Sequence, residues 1–191
     1  MKQSYRPNLY VALTHYPVVN KNGETIASAV TNLDLHDISR VAKTYGVQAF
    51  YVVTPLTDQK FLVERIVSHW TRGAGASYNP KRGEALALIN IKDTLTDVLD
   101  HINSKGKGFP KTVVTCARSI NRSIGYATFR KMLASGNPYL LVFGTAWGLS
   151  NSYIYEVDFV LEPVEGNSEY NHLAVRSAAA IILDRLMGRE R

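Results

Sequence analysis

A single cysteine among 191 residues, Cys116, leaves no internal disulfide to form, and five scattered histidines offer no ligand spacing for a structural zinc. No bound metal is expected. No uninterrupted apolar run reaches the roughly 18 to 20 residues that cross a bilayer, the longest lying around Tyr139–Leu149 and Ala178–Leu183. No membrane partner is expected either. The start, MKQSYRPNLYVALTHYP, has a strand-like pattern where a secretory leader would carry a longer apolar segment and a cleavage site, which reads as a cytoplasmic protein. There is no Walker A sequence, internal repeat, low-complexity tract or Pro/Ser linker, so P-loop nucleotide hydrolysis is unsupported and residues 1–191 read as one domain.

What is present is a folding composition: 46% hydrophobic, 10% aromatic and 20% charged residues. Lys and Arg number 22 against 16 Asp and Glu, a net charge of +6 that suits an anionic partner and equally a merely basic soluble protein.

Apolar periodicity organises the chain. Asn8–Thr14 and Val47–Thr54 read as buried strands, with a helix over Thr31–Gly46 between them whose face repeats Leu35, Ile38, Val41, Ala42 and Tyr45. A second helix spans about 57–71 and ends in RGAGASYNPKRG, residues 72–83, which reads as a glycine-rich loop. Further strands are expected at 85–89, 113–116, 139–143 and 159–161, alternating with helices near 92–104, 123–135 and 171–187. That alternation predicts an α/β fold with a mainly parallel sheet and helices on both faces.

Several local patterns fail. Gly73-Ala74-Gly75 begins like a dinucleotide fingerprint but lacks the third glycine and follows a helix. Asp93, Asp97 and Asp100 form a solvated helical stripe rather than a catalytic pair. Three strand ends are more informative. Residues 114–118, 140–149 and 157–173 leave expected strands, and in parallel sheets ligands sit beyond such carboxyl ends. Gly144 and Gly148 would let backbone approach a ligand closely. From these residues alone a generic nucleotide-binding α/β domain stays open.

Five blocks, in order, resemble a bacterial RNA methyltransferase-like branch of the SPOUT superfamily: TNLDLHDISR with TYG (31–40, 44–46), HW (69–70), YNP (78–80), FGTAWGL (143–149) and EYNHLAVRSA (169–178). The resemblance covers essentially the whole chain. It implies a C-terminal trefoil knot of the α/β-knot type, S-adenosylmethionine as cofactor, RNA (tRNA or rRNA) as substrate and a homodimer whose site spans the interface. A module of the same fold that binds cofactor or RNA without turnover is the alternative.

The resemblance places adenine among three loops: Thr115, Cys116 and Ala117; Phe143, Gly144, Thr145, Gly148 and Leu149; Leu161, Pro163, Tyr170, Asn171, His172 and Leu173. Adenine is flat and largely apolar with a polar edge that backbone can satisfy, which fits such loops. Arg40 matches the arginine that serves catalysis in related ribose methyltransferases. Asp34 stands where that family has asparagine and Ala174 where it has serine, so base and ribose both remain open as acceptors. Asp34, Asp37 and Glu165 are the candidates for a proton acceptor. His172 is a further catalytic candidate, with a cap on the last helix or a hydrogen bond to the loop as its other reading. For RNA, Arg72, Lys81 and Arg82 flank Tyr78, combining phosphate-binding charge with a stacking ring, and Arg118 and Arg122 add charge near the loops.

Overall fold

The computed structural model describes residues 7–189. In chain order the elements are β1 (Leu9–Thr14), a small hairpin of β2 (Val18–Val19) and β3 (Thr25–Ile26), α1 (Asn32–Thr44), β4 (Phe50–Val53), α2 (Thr57–Thr71), α3 (Ala74–Tyr78), α4 (Pro80–Leu86), β5 (Ile89–Lys92) and α5 (Leu95–Ile102). After a π-helical turn at Asn103–Lys107 follow β6 (Lys111–Thr115), β7 (Ser123–Ile124), α6 (Tyr126–Leu133), β8 (Tyr139–Gly144), α7 (Asn151–Glu156), β9 (Phe159–Leu161) and α8 (Val175–Met187).

Seven strands among the described residues form one sheet in the order β5-β4-β1-β8-β6-β9-β7, and every pairing in it is parallel. The central strands are unbroken apolar runs because helices cover both faces. On one face Leu35 and Ile38 of α1, Phe129 of α6 and Ala179, Ile182 and Leu183 of α8 pack over Leu9, Val11, Leu141 and Phe143. On the other, Leu95, Val98 and Ile102 of α5 and Ile154 of α7 pack over Tyr10, Ala12, Leu140 and Val142. Because parallel strands point the same way, the loops after β1, β6, β8 and β9 all leave one edge of the sheet.

Local expectations are revised in four places. The supposed loop 72–83 is largely helical: Asn79 accepts from the Arg82 backbone N–H, and Pro80 starts α4. Ala85 and Leu86 close α4 rather than opening a strand, and β5 begins at Ile89. The segment 123–135 starts with the short strand β7 before α6. The last helix begins at Val175, leaving 171–174 extended. No described helix is long and apolar enough to cross a membrane.

Candidate cofactor and acceptor site

The turn after β8 is fixed from below. Thr145 Oγ1 donates to the Thr14 carbonyl at 2.9 Å and lies 2.5 Å from Ser28 Oγ, which in turn lies 3.0 Å from His15 Nδ1. Each hydroxyl has one proton to give. With Thr145 donating to Thr14, Ser28 donates to Thr145 and His15 donates from Nδ1. Donation from Nδ1 suits the neutral ring and the imidazolium alike, and burial decides for the neutral ring. Burial drives its pKa down to about 4, against the opposing pull of the Asp34 charge and a backbone hydrogen bond at Ala29.

The same turn is tied to the hairpin. Trp147 N donates to the Val19 carbonyl at 3.1 Å, and Val19 N to the Gly148 carbonyl at 3.0 Å. Gly148 has φ of +99°, a left-handed conformation that favours glycine. Gly144 corrects the sequence reading: a Cβ there would meet Leu149 N at 3.0 Å, so the missing side chain makes room for the turn itself, not for a ligand. Phe143 and Leu161 are fully buried in the core, which leaves only their backbone to face a ligand, and Leu149 and Pro163 are also buried.

The other two loops leave the same edge of the sheet and are joined to each other. Asn171 Nδ2 donates to the Ala117 carbonyl at 2.9 Å, joining the segment after β9 to the loop after β6, and Thr115 Oγ1 donates to the Val142 carbonyl at 3.2 Å. Asn171 thus bridges loops instead of capping α8, whose N-cap residue is Ala174, and no side chain caps that helix. The capping alternative for His172 falls with it; the ring is exposed and edge-on to Tyr170 at 6.3 Å. Among the described residues, no backbone–backbone hydrogen bond forms between Pro163 and Leu173. The open amides and carbonyls of this segment, with half-buried Cys116 and the exposed Leu173 side chain beside it, fit a flat ring with a polar edge.

Next to the loops, α1 and α8 form a groove of about 530 Å³ lined by Asp37, Arg40, Val41, Tyr45, Arg176 and Ser177, among others. Arg40 is exposed on it. Asp34 is not: it accepts from Arg176 Nη1 at 3.3 Å and from the Thr31 hydroxyl, and Arg176 Nε lies 3.7 Å from Asp37. This buried carboxylate ties α1 to α8, so of the three candidates left open for a proton acceptor Asp34 is already engaged. Tyr45 donates to Asp184 Oδ1 at 2.7 Å across the same pair of helices, and that bond raises its pKa.

The candidate RNA side chains separate into engaged and open. Arg122 donates to the Ile154 and Val157 carbonyls at the end of α7 and is engaged there. Lys81 pairs with Glu84 at 2.8 Å and Arg118 donates to Asn151 at 3.2 Å, both at the surface. Arg82 lies over the Trp70 ring, 4.7 Å from its centroid. Tyr78, 86% exposed, and Arg72 are open to solvent. The buried links to His15 and Ser28, and the Asp34–Arg176 tie, carry no local sequence signal.

A family model described as SAM-dependent RNA methyltransferase matches residues 8–188, and the chain belongs to that family. It is 43% identical over 181 residues to a tRNA (guanine-N(1)-)-methyltransferase of Oleidesulfovibrio alaskensis, covering 95% of this chain and 42% of the relative. A protein of Aquifex aeolicus is 36% identical over 185 residues, covering 96% and 90%. The chain thus spans less than half the length of the methyltransferase relative. Among solved structures, the SpoU methyltransferase AviRb of Streptomyces viridochromogenes in complex with AdoMet superposes with TM-score 0.57 at 17% identity, over 96% of this chain and 58% of that one. The TrmH/SpoU tRNA modifying enzyme of A. aeolicus gives 0.55 at 17%, over 95% and 74%. The fold is therefore that of the SPOUT methyltransferases.

Proposed function

We propose that this chain transfers the methyl group of S-adenosylmethionine to RNA, a tRNA or an rRNA. The observation that carries the reading is the convergence of three strand-end loops, one with its backbone groups open, beside the Arg40 groove in a chain of this family. When bound, the cofactor supplies an electrophilic methyl group on a positively charged sulfur. The residues of this chain then align and exclude: Leu149 and Leu173 wall the adenine, the 163–173 backbone and the Ala117 region take its polar edge, and Thr145 holds the turn beneath it. These residues would align an RNA acceptor atom in line with that methyl and its sulfur leaving group, with any acceptor proton passing to solvent or a nearby base. The exposed guanidinium of Arg40 orients the acceptor and offsets developing negative charge.

The same reading takes the chain as a cytoplasmic homodimer and as knotted, with the segment from 162 onward threading the loop between β6 and β8. The contact of Asn171 with Ala117 and the packing of α8 against α1 and α6 support that path. A binding module without turnover is the second reading, favoured by the engagement of Asp34 with Arg176, which leaves no buried carboxylate free as base among the described residues.

Calorimetry with S-adenosylmethionine and methyl transfer to RNA lacking its own modification test the proposal together. Arg40→Ala should lower turnover by about a hundredfold or more, the scale for losing such a group, while cofactor affinity changes little. Near-normal transfer in a folded Arg40→Ala protein would move the acceptor side elsewhere. Sedimentation checks the dimer.

A further inference from the structure

We infer that the face formed by α1 and α4, beside the Arg40 groove, is a preformed subsite for a phosphate of the RNA backbone. The inference rests on the RNA methyltransferase reading and gives it a second contact point. Its centre is Trp70 at the end of α2. The His36 ring meets the indole edge-on at 5.4 Å, the His69 ring at 5.1 Å, and the Arg82 guanidinium lies 4.7 Å from its centroid. Two glycines permit this closeness: a Cβ on Gly83 would stand 2.5 Å from the Trp70 carbonyl oxygen, and one on Gly75 2.7 Å from the indole. Arg82 is also held by its backbone, which donates to Asn79 Oδ1 at 3.0 Å.

A guanidinium so firmly placed would ordinarily serve a carboxylate. Among the described residues none pairs with Arg82, and its buried Nε has no partner. Buried Nδ1 of His36 has none either. Arg40 follows one turn along α1 from His36, on the same helical face. Around His36, Arg82 from α4 and Arg40 from its own helix disfavour protonation in addition to burial, with Asp37 opposing them, and His69 stands across the indole. The Arg82 and Arg40 guanidiniums flank an imidazole that burial keeps neutral, with Asp37 as the opposing charge, so an anion is welcome between them. A phosphodiester suits them because its two free oxygens match the planar fork of an arginine. RNA is the source of that phosphate because Arg40 belongs both to this face and to the acceptor groove, so a strand lying in the groove passes over it.

The test is fluorescence anisotropy of a short labelled single-stranded RNA at several salt concentrations, with wild type, R82Q and R82K. R82Q should weaken binding several-fold and flatten the log–log salt slope by about 0.7, the single-strand value for one lost phosphate contact. R82K should keep the slope and lose affinity, since it retains the charge but neither the stack nor the fork. Calorimetry should find S-adenosylmethionine affinity unchanged in both. Should R82Q fail to fold by its thermal transition, His36→Gln probes the subsite with the guanidinium stack intact and should also weaken RNA binding. Unchanged affinity and slope in folded variants overturn the subsite while the methyltransferase reading stands. A wild type that binds no S-adenosylmethionine overturns that reading. Inorganic phosphate that displaces the RNA beyond its ionic-strength effect overturns the assignment to an RNA strand in favour of a free anion.

Discussion

Two of the loops at the candidate cofactor site are built in opposite ways. Residues 144–149 are pinned at Thr145, Trp147 and Gly148 to β1, Ser28 and the β2–β3 hairpin. Residues 163–173 have no backbone–backbone hydrogen bond among the described residues; Pro163 is buried and Asn171 bridges to the Ala117 carbonyl, while 165–170 and 172–173 are exposed. A rigid wall fixes where a ligand sits without reorganisation, and an adaptable wall can close over it afterwards. Changes to the first should therefore appear as stability and changes to the second as affinity.

The largest effect is expected from His15, beneath the rigid wall. Its folded pKa of about 4 lies below the unfolded value near 6.5, so the unfolded state binds the extra proton between those limits. Stability should hold above pH 6.5 and fall by about 3 kcal/mol as pH drops to 4, by the linkage of roughly 1.36 kcal/mol per pH unit. Urea unfolding across that range measures it, and the difference between wild type and His15→Gln isolates it from the carboxylates. Thr145→Val comes next. It strips Ser28 of its acceptor and the Thr14 carbonyl of its donor, for a loss of about 2 kcal/mol, with cofactor affinity falling as the turn relaxes. Gly148→Ala should cost about 1 kcal/mol through its left-handed backbone alone, because nothing stands within 4 Å of the added carbon. The smallest stability change belongs to Asn171→Ala, under about 0.5 kcal/mol at an exposed segment, yet calorimetry should show weaker S-adenosylmethionine binding. If Asn171→Ala destabilises the fold as much as Thr145→Val, the two loops do not differ in the way described.

The rigid wall was only half legible in the sequence. Apolar runs and helical periodicity located β1, β8, β9 and α1, and with them the sheet edge where the loops gather, because those signals are local and burial on both faces makes them strong. The pins were not legible. Ser28 meets Thr145 across 117 positions, and Asp34 meets Arg176 across 142, distances at which no pattern along the chain speaks. The glycine-rich stretch 72–83 misled for a related reason. Gly73, Gly75, Asn79, Pro80 and Gly83 are turn signals locally, but tertiary contact with Trp70 selects small residues there and turns most of the stretch into α3 and α4. The five blocks of family resemblance led to the fold class, the cofactor and the RNA substrate class more directly than periodicity did. They did not reveal that Asp34 is already spoken for.

The strand order carries a consequence for how the chain is made. On the ribosome β1, β4 and β5 emerge early and can pair, and β6 follows, but the slot between β1 and β6 belongs to β8, residues 139–144. Until those residues are synthesised, the edges of β1 and β6 that flank the slot have no neighbour within the nascent chain. Closing contacts of such long sequence separation is slow, and unpaired edges invite association with other chains. Translation from β6 through β8 is thus the interval in which this protein most depends on protection from its neighbours.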